Sequence, residues 1–237
     1  MCRKKTHFFT DFKYSYISEK GKHIPNWREQ LVCKGCKLNN RMRGSFQIFE
    51  QECKPKLDDK IYITEQKTPI FKYLKNKYKN IIGSEYMGDN IPNENTKGLE
   101  IKNENLENLS FSNNQFDYIL CFDVFEHIPN YKKAFQECFR CLKPNGRLLF
   151  SVPFNLQSQR NIVRAKIKSN GEVEYFFPPE YHGDPMKPDG CLCYYHFGWE
   201  SLNELRKIGF RDVSSFFYWS KELGYLGKDQ FIFIAKK

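Results

Sequence analysis

Several protein classes are excluded by what this chain lacks. It has no apolar run of about 18 residues, the length a membrane-spanning helix needs. Its opening stretch, "MCRKKTHFFTDFKY", has no apolar core of the secretory-signal kind. It contains no internal repeat and no low-complexity tract. One C-x-x-C pair, Cys33 and Cys36, stands in the N-terminal stretch, whereas a structural zinc site usually draws on two such pairs; Cys138 and Cys141 share the spacing but read as core residues of a helix. Glycine is missing from "ITEQKTP", residues 63–69, which joins an apolar strand to a helix-like run. A dinucleotide site needs glycine at that turn, because the backbone must approach a pyrophosphate closely. Acid is in deficit too: 38 Lys and Arg against 28 Asp and Glu give a net charge of +10. That charge fits a solvated lysine-rich surface, or an anionic partner such as a nucleotide, a phosphorylated sugar or RNA.

What is present suits a folded enzyme-sized chain. The 237 residues, 40% of them hydrophobic, accommodate one α/β domain with an extension, or two small ones. Nine cysteines without a secretion signal are expected to be mostly reduced thiols in a soluble, cytoplasmic protein. Cys121 falls in an apolar strand, and Cys138 and Cys141 in an amphipathic helix.

Residues 1–57 show no clear alternation of strand and helix. They carry "HFFTDFKYSY", the C-x-x-C segment and a helix from "RGSFQIFEQEC". From residue 58 the pattern changes: "KIYIT" reads as a strand, 69–79 as a helix and "NIIGSEYM" as a strand. "NENLENLSF" holds a short strand at most. "FDYILCFDV" is a buried strand, "NYKKAFQECFRCL" a helix stopped by "KPNG", and "GRLLFSVPF" the next strand. Residues 155–197 interrupt the rhythm with glycine, proline and aromatics, the composition of an ordered lid or substrate wall. Helix "WESLNELRKIG" and strands "VSSFFYWS" and "QFIFIAKK" close the chain. The alternation predicts a parallel, doubly wound sheet with helices on both faces. Ligands in such sheets sit beyond the C-terminal strand ends.

The residues at those ends carry the chemistry. Glu85 is placed to accept from ribose hydroxyls, although a surface acid would look the same. Asn105 and the Leu106 amide are placed to meet an adenine edge, unless Asn105 simply makes an Asx turn. Asp123, Glu126 and His127 cluster just past "FDYILCF", with a capping role open to Asp123.

With these residues in view, "NLENLSFSNNQFDYILCFDVFEHIPNYKKAFQECFRCLKPNGRLLFSVPF" resembles the core of class I S-adenosylmethionine-dependent methyltransferases, of the methyltransferase type 11 kind. "IYITEQKTP", "GSEYMGD", "EYHGDP", "YYHFGWESLNELRKIGF" and the segment C-x-x-C-x-L-N-N-R-x-R at 33–43 are similar to a bacterial subgroup associated with surface-polysaccharide (capsule) biosynthesis. The resemblance implies an α/β fold with a doubly wound, seven-stranded Rossmann-like sheet whose last strand is antiparallel. To this it adds an N-terminal extension (1–57) and, within a methyltransferase domain (58–237), an insertion at 155–197 after the fifth strand. It implies S-adenosylmethionine as cofactor. Thr64, Glu65, Gln66 and Thr68 would surround its methionine end, Glu85 and Tyr86 its ribose, Asn105 and Leu106 its adenine, and Asp123 and Val124 would lie along it. The family usually has Asp where this chain has Asn105, and the amide oxygen keeps an acceptor there.

Methyl transfer needs the acceptor atom aligned about 3 Å from the methyl carbon, and a base if the acceptor is a neutral hydroxyl. His127 is the first candidate base, then His182 and His196 in the insertion, with Asp184 as orienting partner. Arg28, Arg41, Arg43, Arg160, Arg164, Tyr181 and His196 are candidate acceptor contacts, and Lys166 adds charge beside them. No metal ligands are assigned: Cys53 and His23, the nearest additions to the C-x-x-C, have unconvincing spacing. The expected function is O-methylation, in preference to N-methylation, of a small polar or anionic acceptor: a sugar, a nucleotide-linked sugar, or a phosphoryl or phosphoramidate group. An RNA methyltransferase and a non-catalytic nucleic-acid-binding module are the alternatives. Nucleic acid is the less expected partner, because no N/D-P-P-Y/F-type motif and no second zinc pair are present.

Overall fold

The computed structural model describes residues 5–89, 93–96, 99–228 and 230–237, and the side chains of 94–96 and 99 lie outside that description. Cys2 and the rest of 1–4, the start of the stretch read for a signal, also lie outside it. The described chain divides into two compact units, one of residues 1–55 with 215–232, the other of 56–214 with 233–237. The segment 215–232 clusters with the N-terminal residues.

The chain contains the expected α/β layers, most of them within the second unit. Strand β1 is Lys60–Ile63, β2 Asn80–Gly83, β3 Phe116–Phe122, β4 Leu142–Ser151, β5 Arg211–Phe217 and β6 Phe231–Lys236. They form one sheet in the order β5-β6-β4-β3-β1-β2. β1 pairs in parallel with β2 and β3, and β3 with β4, while β6 runs antiparallel to β4. The sheet therefore has six strands among the described residues, not the seven expected. Beyond β2 the pairing continues among the described residues only as one parallel bridge, Glu85 with Asn103, and Asn105 then bridges back to Asn108.

The elements follow from local chemistry. Phe116, Ile119, Leu120, Cys121 and Phe122 are all buried, as a strand covered on both faces requires. Helix α1 (Pro69–Lys77) starts with proline at its first turn, where the missing N–H costs nothing, and with Thr68 as cap. Helix α2 (Tyr131–Cys141) buries Tyr131, Ala134, Phe135, Cys138 and Cys141 along one stripe. Its N-cap is Asn130, whose side chain accepts from the Lys133 amide. Helix α3 (Glu200–Ile208) ends at Gly209 with φ 121°, a conformation that favours glycine. The "KPNG" stretch ends α2 but continues into β4 as an irregular entry, with the register against β3 shifting between Leu142 and Arg147.

The insertion at 155–197 is ordered as short two-stranded ladders: Ile162–Val163 with Tyr195–His196, Ala165–Ile167 with Val173–Tyr175, and Tyr181–His182 with Cys191–Leu192. The Tyr194 amide donates to the Glu126 carbonyl (2.7 Å), which ties the insertion to the end of β3.

In the first unit, helix Asn40–Ile48 is capped by Asn39. Arg43 is buried and donates to the carbonyls of Leu223 (2.6 Å) and Gly224 (2.7 Å). Its guanidinium also lies over the rings of Phe8 and Tyr225. Among the described residues no helix is long and apolar enough to cross a membrane.

Candidate functional site

The turn after β1 has no glycine, yet it is tightly held. Glu85, buried at the end of β2, accepts from the amides of Gln66 and Lys67 with one oxygen, Oε1, at 2.7 Å each. Its Oε2 receives no donor among the described residues. Burial pushes the Glu85 carboxyl up, the two amides pull it down, and the charge of Asp184 pushes it up again; the net shift is upward. Glycine is needed one strand over instead. A Cβ on Gly83 would lie 2.6 Å from the Phe71 ring and 2.9 Å from the Glu65 carbonyl oxygen, so this position lets β2 approach the turn.

The other residues expected at the cofactor divide. Thr64 and Glu65 are buried beside Glu85. Gln66 commits its side chain to the backbone, donating to the Glu100 carbonyl (2.7 Å) and accepting from the Lys102 amide (3.1 Å). It is therefore engaged at the sheet edge and not held ready for an ammonium group. The Thr68 hydroxyl is the cap of α1 (3.4 Å to the Phe71 amide). Asn105 makes the Asx turn: Oδ1 accepts from the Glu107 amide (2.8 Å) and Nδ2 donates to Asp89 (2.9 Å). Its oxygen is thus already used locally, and adjacent Leu106 is buried. Tyr86 is exposed, with the Lys187 ammonium 5.7 Å from its ring centre. Asp123 turns the chain after β3 with φ 54° and accepts from the Ser151 hydroxyl (2.7 Å). Val124 then leads into a one-turn helix, Phe125–His127.

That turn and the insertion bring the histidines together. The His127 and His182 rings meet edge to face, 4.8 Å between centres. His127 Nδ1 is 2.8 Å from the Leu192 carbonyl oxygen, so this nitrogen carries the proton and donates. Its Nε2 lies 3.8 Å from Glu126 Oε1, and His182 Nδ1 lies 3.6 Å from the same oxygen. On its other side His182 Nε2 is 2.9 Å from Glu180 Oε1. His196 Nε2 (3.1 Å) and the Arg164 guanidinium (3.2 Å) also reach Glu180, at Oε2. The Glu126 and Glu180 carboxylates raise His182 to about 9 against the opposing effect of burial. Burial works against ionisation of Glu180, but His182, His196 and Arg164 outweigh it and hold its carboxyl below the usual range.

Asp184, expected to orient a histidine, instead accepts from the Met186 amide (2.6 Å) and the Cys191 thiol (2.7 Å). The orienting acid is Glu180, which the sequence reading did not single out. Its signal was the E-x-H spacing in "PPEYHGDP", which puts two side chains on one side of an extended segment. Arg164 also donates to the Pro178 carbonyl (2.9 Å). Arg160 and Tyr181 are exposed. Arg28 and Arg41 both pair with Glu29 in the first unit, and Arg43 is spent on Leu223 and Gly224. Cys33 is buried and Cys36 half-buried.

Comparison with known proteins agrees with the fold. Residues 68–150 match the family described as methyltransferase domain. A 42-residue stretch is 38% identical to phosphoethanolamine N-methyltransferase 2 of Caenorhabditis elegans, covering 18% of this chain and 10% of that protein. A 38-residue stretch is 40% identical to the ubiquinone biosynthesis O-methyltransferase of Pseudomonas fluorescens, covering 16% of each. These matches thus span a sixth or less of the curated relatives' lengths. Among solved structures, an S-adenosylmethionine dependent methyltransferase from Mesorhizobium loti superposes with TM-score 0.55 at 13% identity, covering 86% of this chain and all (100%) of that one. The 1,6-didemethyltoxoflavin-N1-methyltransferase of Burkholderia thailandensis, solved with S-adenosylhomocysteine, gives 0.50 at 14%, covering 83% and 77%. The fold is therefore the Rossmann-like one of S-adenosylmethionine-dependent methyltransferases.

Proposed function

We propose that this chain is an S-adenosylmethionine-dependent methyltransferase whose acceptor is a small polar or anionic molecule presenting an oxygen, of the kind met in surface-glycan assembly. The observation that carries this reading is Glu85: a buried carboxylate at the C-terminal end of β2, anchored by two turn amides and with one oxygen left for a ligand. That fits a ribose diol. Asn105 does not fit as an adenine acceptor, since its oxygen is used by Glu107, so the adenine edge falls to backbone groups near buried Leu106.

The cofactor, when bound, supplies a methyl group already activated by its sulfonium. The chain's own residues bind and orient. Glu85 holds the ribose, and the turn 64–68 borders the amino-acid end. His127, with Nδ1–H held by the Leu192 carbonyl, keeps Nε2 as a proton acceptor for an acceptor hydroxyl. The insertion supplies the wall over this group, and Arg160 and Tyr181 are exposed there for acceptor contact. The O-methyl and glycan assignment draws on the likeness of "EYHGDP" and "YYHFGWESLNELRKIGF" to the polysaccharide-associated subgroup.

The test is a transfer assay with methyl-labelled S-adenosylmethionine over sugar nucleotides, phosphorylated sugars and RNA. Labelled sugar-type product, lowered about 100-fold or more in His127→Ala with cofactor affinity kept, is expected. Label in RNA alone would reject the acceptor class.

A further inference from the structure

We propose that Glu126, His127 and His182 form a binding site for a divalent transition cation of the zinc type. The ligand atoms of these three residues all lie within 4.8 Å of one another.

Donor bookkeeping leads there. Glu126 is fully buried, and neither carboxylate oxygen has a hydrogen-bond partner within normal distance among the described residues. A buried carboxylate without donors is costly, so the site calls for a positive charge. Both neighbouring imidazoles turn their inner nitrogen towards it, because their outer nitrogens are taken up by acceptors, and a cation would displace the proton that the carboxylates hold on His182. His127 Nδ1 is held by the Leu192 carbonyl and His182 Nε2 by Glu180. A histidine fixed from behind by a carboxylate or carbonyl is the usual outer arrangement around a metal.

The spacing of the ligand atoms also suits a metal. A proton shared between His182 Nδ1 and Glu126 Oε1 wants about 2.7–3.2 Å, and the separation is 3.6 Å. Two ligands at ~2.0–2.2 Å from a tetrahedral zinc lie about 3.3–3.6 Å apart. The observed 3.6 and 3.8 Å are near that spacing. Two imidazoles and one carboxylate favour zinc-type ions over magnesium and leave a coordination position open. The neighbouring group of Glu180, His182 and Cys193 is the weaker candidate, since Glu180 is already satisfied by Arg164, His182 and His196.

The inference shares His127 with the proposed function but does not depend on methyl transfer. With a cation there, Glu126, His127 and His182 would hold it and it would supply Lewis-acid activation of an acceptor oxygen, the task that His127 Nε2 performs as a base in the metal-free chain.

The test is equilibrium dialysis of chelator-stripped full chain against Zn2+ and, separately, Mg2+. About one equivalent of Zn2+ and no tight Mg2+ is expected. His127→Ala, His182→Ala and Glu126→Gln should each weaken Zn2+ about 100-fold or more, and Cys33→Ser/Cys36→Ser should leave it unchanged. If a variant fails to fold, the Co2+ spectrum of the unaltered chain decides. Nitrogen and oxygen coordination without a thiolate charge-transfer band supports the site. A thiolate band, no saturable Zn2+, or loss of binding only in the cysteine variant overturns it. S-adenosylhomocysteine binding, measured alongside, reports on the methyltransferase reading separately.

Discussion

Glu85 holds two turn amides with one oxygen while burial raises its pKa. A carboxyl raised in the folded state has its charged form penalised there. The penalty is present at neutral pH and is relieved as pH falls through the raised pKa. Glu85→Gln keeps the Oε1 acceptor for Gln66 and Lys67 and removes the charge. It should weaken S-adenosylhomocysteine about 10-fold or more by titration calorimetry. Its thermal midpoint should be at or above that of the parent chain at pH 7–8, and the difference should narrow as pH falls towards 5. At this scale the sequence was partly legible. Glu85, His127 and His182 are placed by strand ends and by one short motif, whereas Asn105 and Asp184 hold amides two residues on and also partners, Asp89 and Cys191, that only folding brings near. The same holds for Glu180, which becomes visible once His182 and His196 converge on it.

The strands and helices were legible because each has a period or a cap. β3 is nearly continuous in apolar residues, α2 has its stripe, and Thr68-Pro69 announces α1. The insertion was not, since ladders of two or three residues carry no period. Gly83 is the telling position among these elements: it lies at the end of β2, not in the turn where glycine was sought. Gly83→Ala must displace the Phe71 ring or the Glu65 carbonyl, which lie 2.6 and 2.9 Å from the new methyl. A loss of about 1–3 kcal/mol in urea unfolding is expected, with weaker cofactor binding, because the turn that holds Glu85 shifts. An unchanged midpoint would mean that the turn yields freely.

At the level of the whole chain, the N-terminal segment is tied to 215–232 through side chains far apart in sequence, which no local pattern reveals. Arg43 makes that tie with two carbonyls and two rings. Arg43→Ala should destabilise the first unit by about 2–4 kcal/mol, and Arg43→Lys should recover only part of it, since one ammonium cannot reproduce the planar fork. Hydrogen exchange resolved by segment, with faster exchange across 40–48 and 223–226, would check this. The six-stranded sheet and its antiparallel β6 follow the alternation read from residue 58 onward. The strand lost at the edge beyond β2 lies where polar Asn and Glu side chains compete with the ladder for backbone groups.

Isothermal titration of the full chain with S-adenosylhomocysteine, alongside Glu85→Gln, tests the central claim most directly. One saturable site per chain, weakened by the substitution, is the predicted result. No binding heat at any temperature tried, or equal affinity in Glu85→Gln, would contradict it.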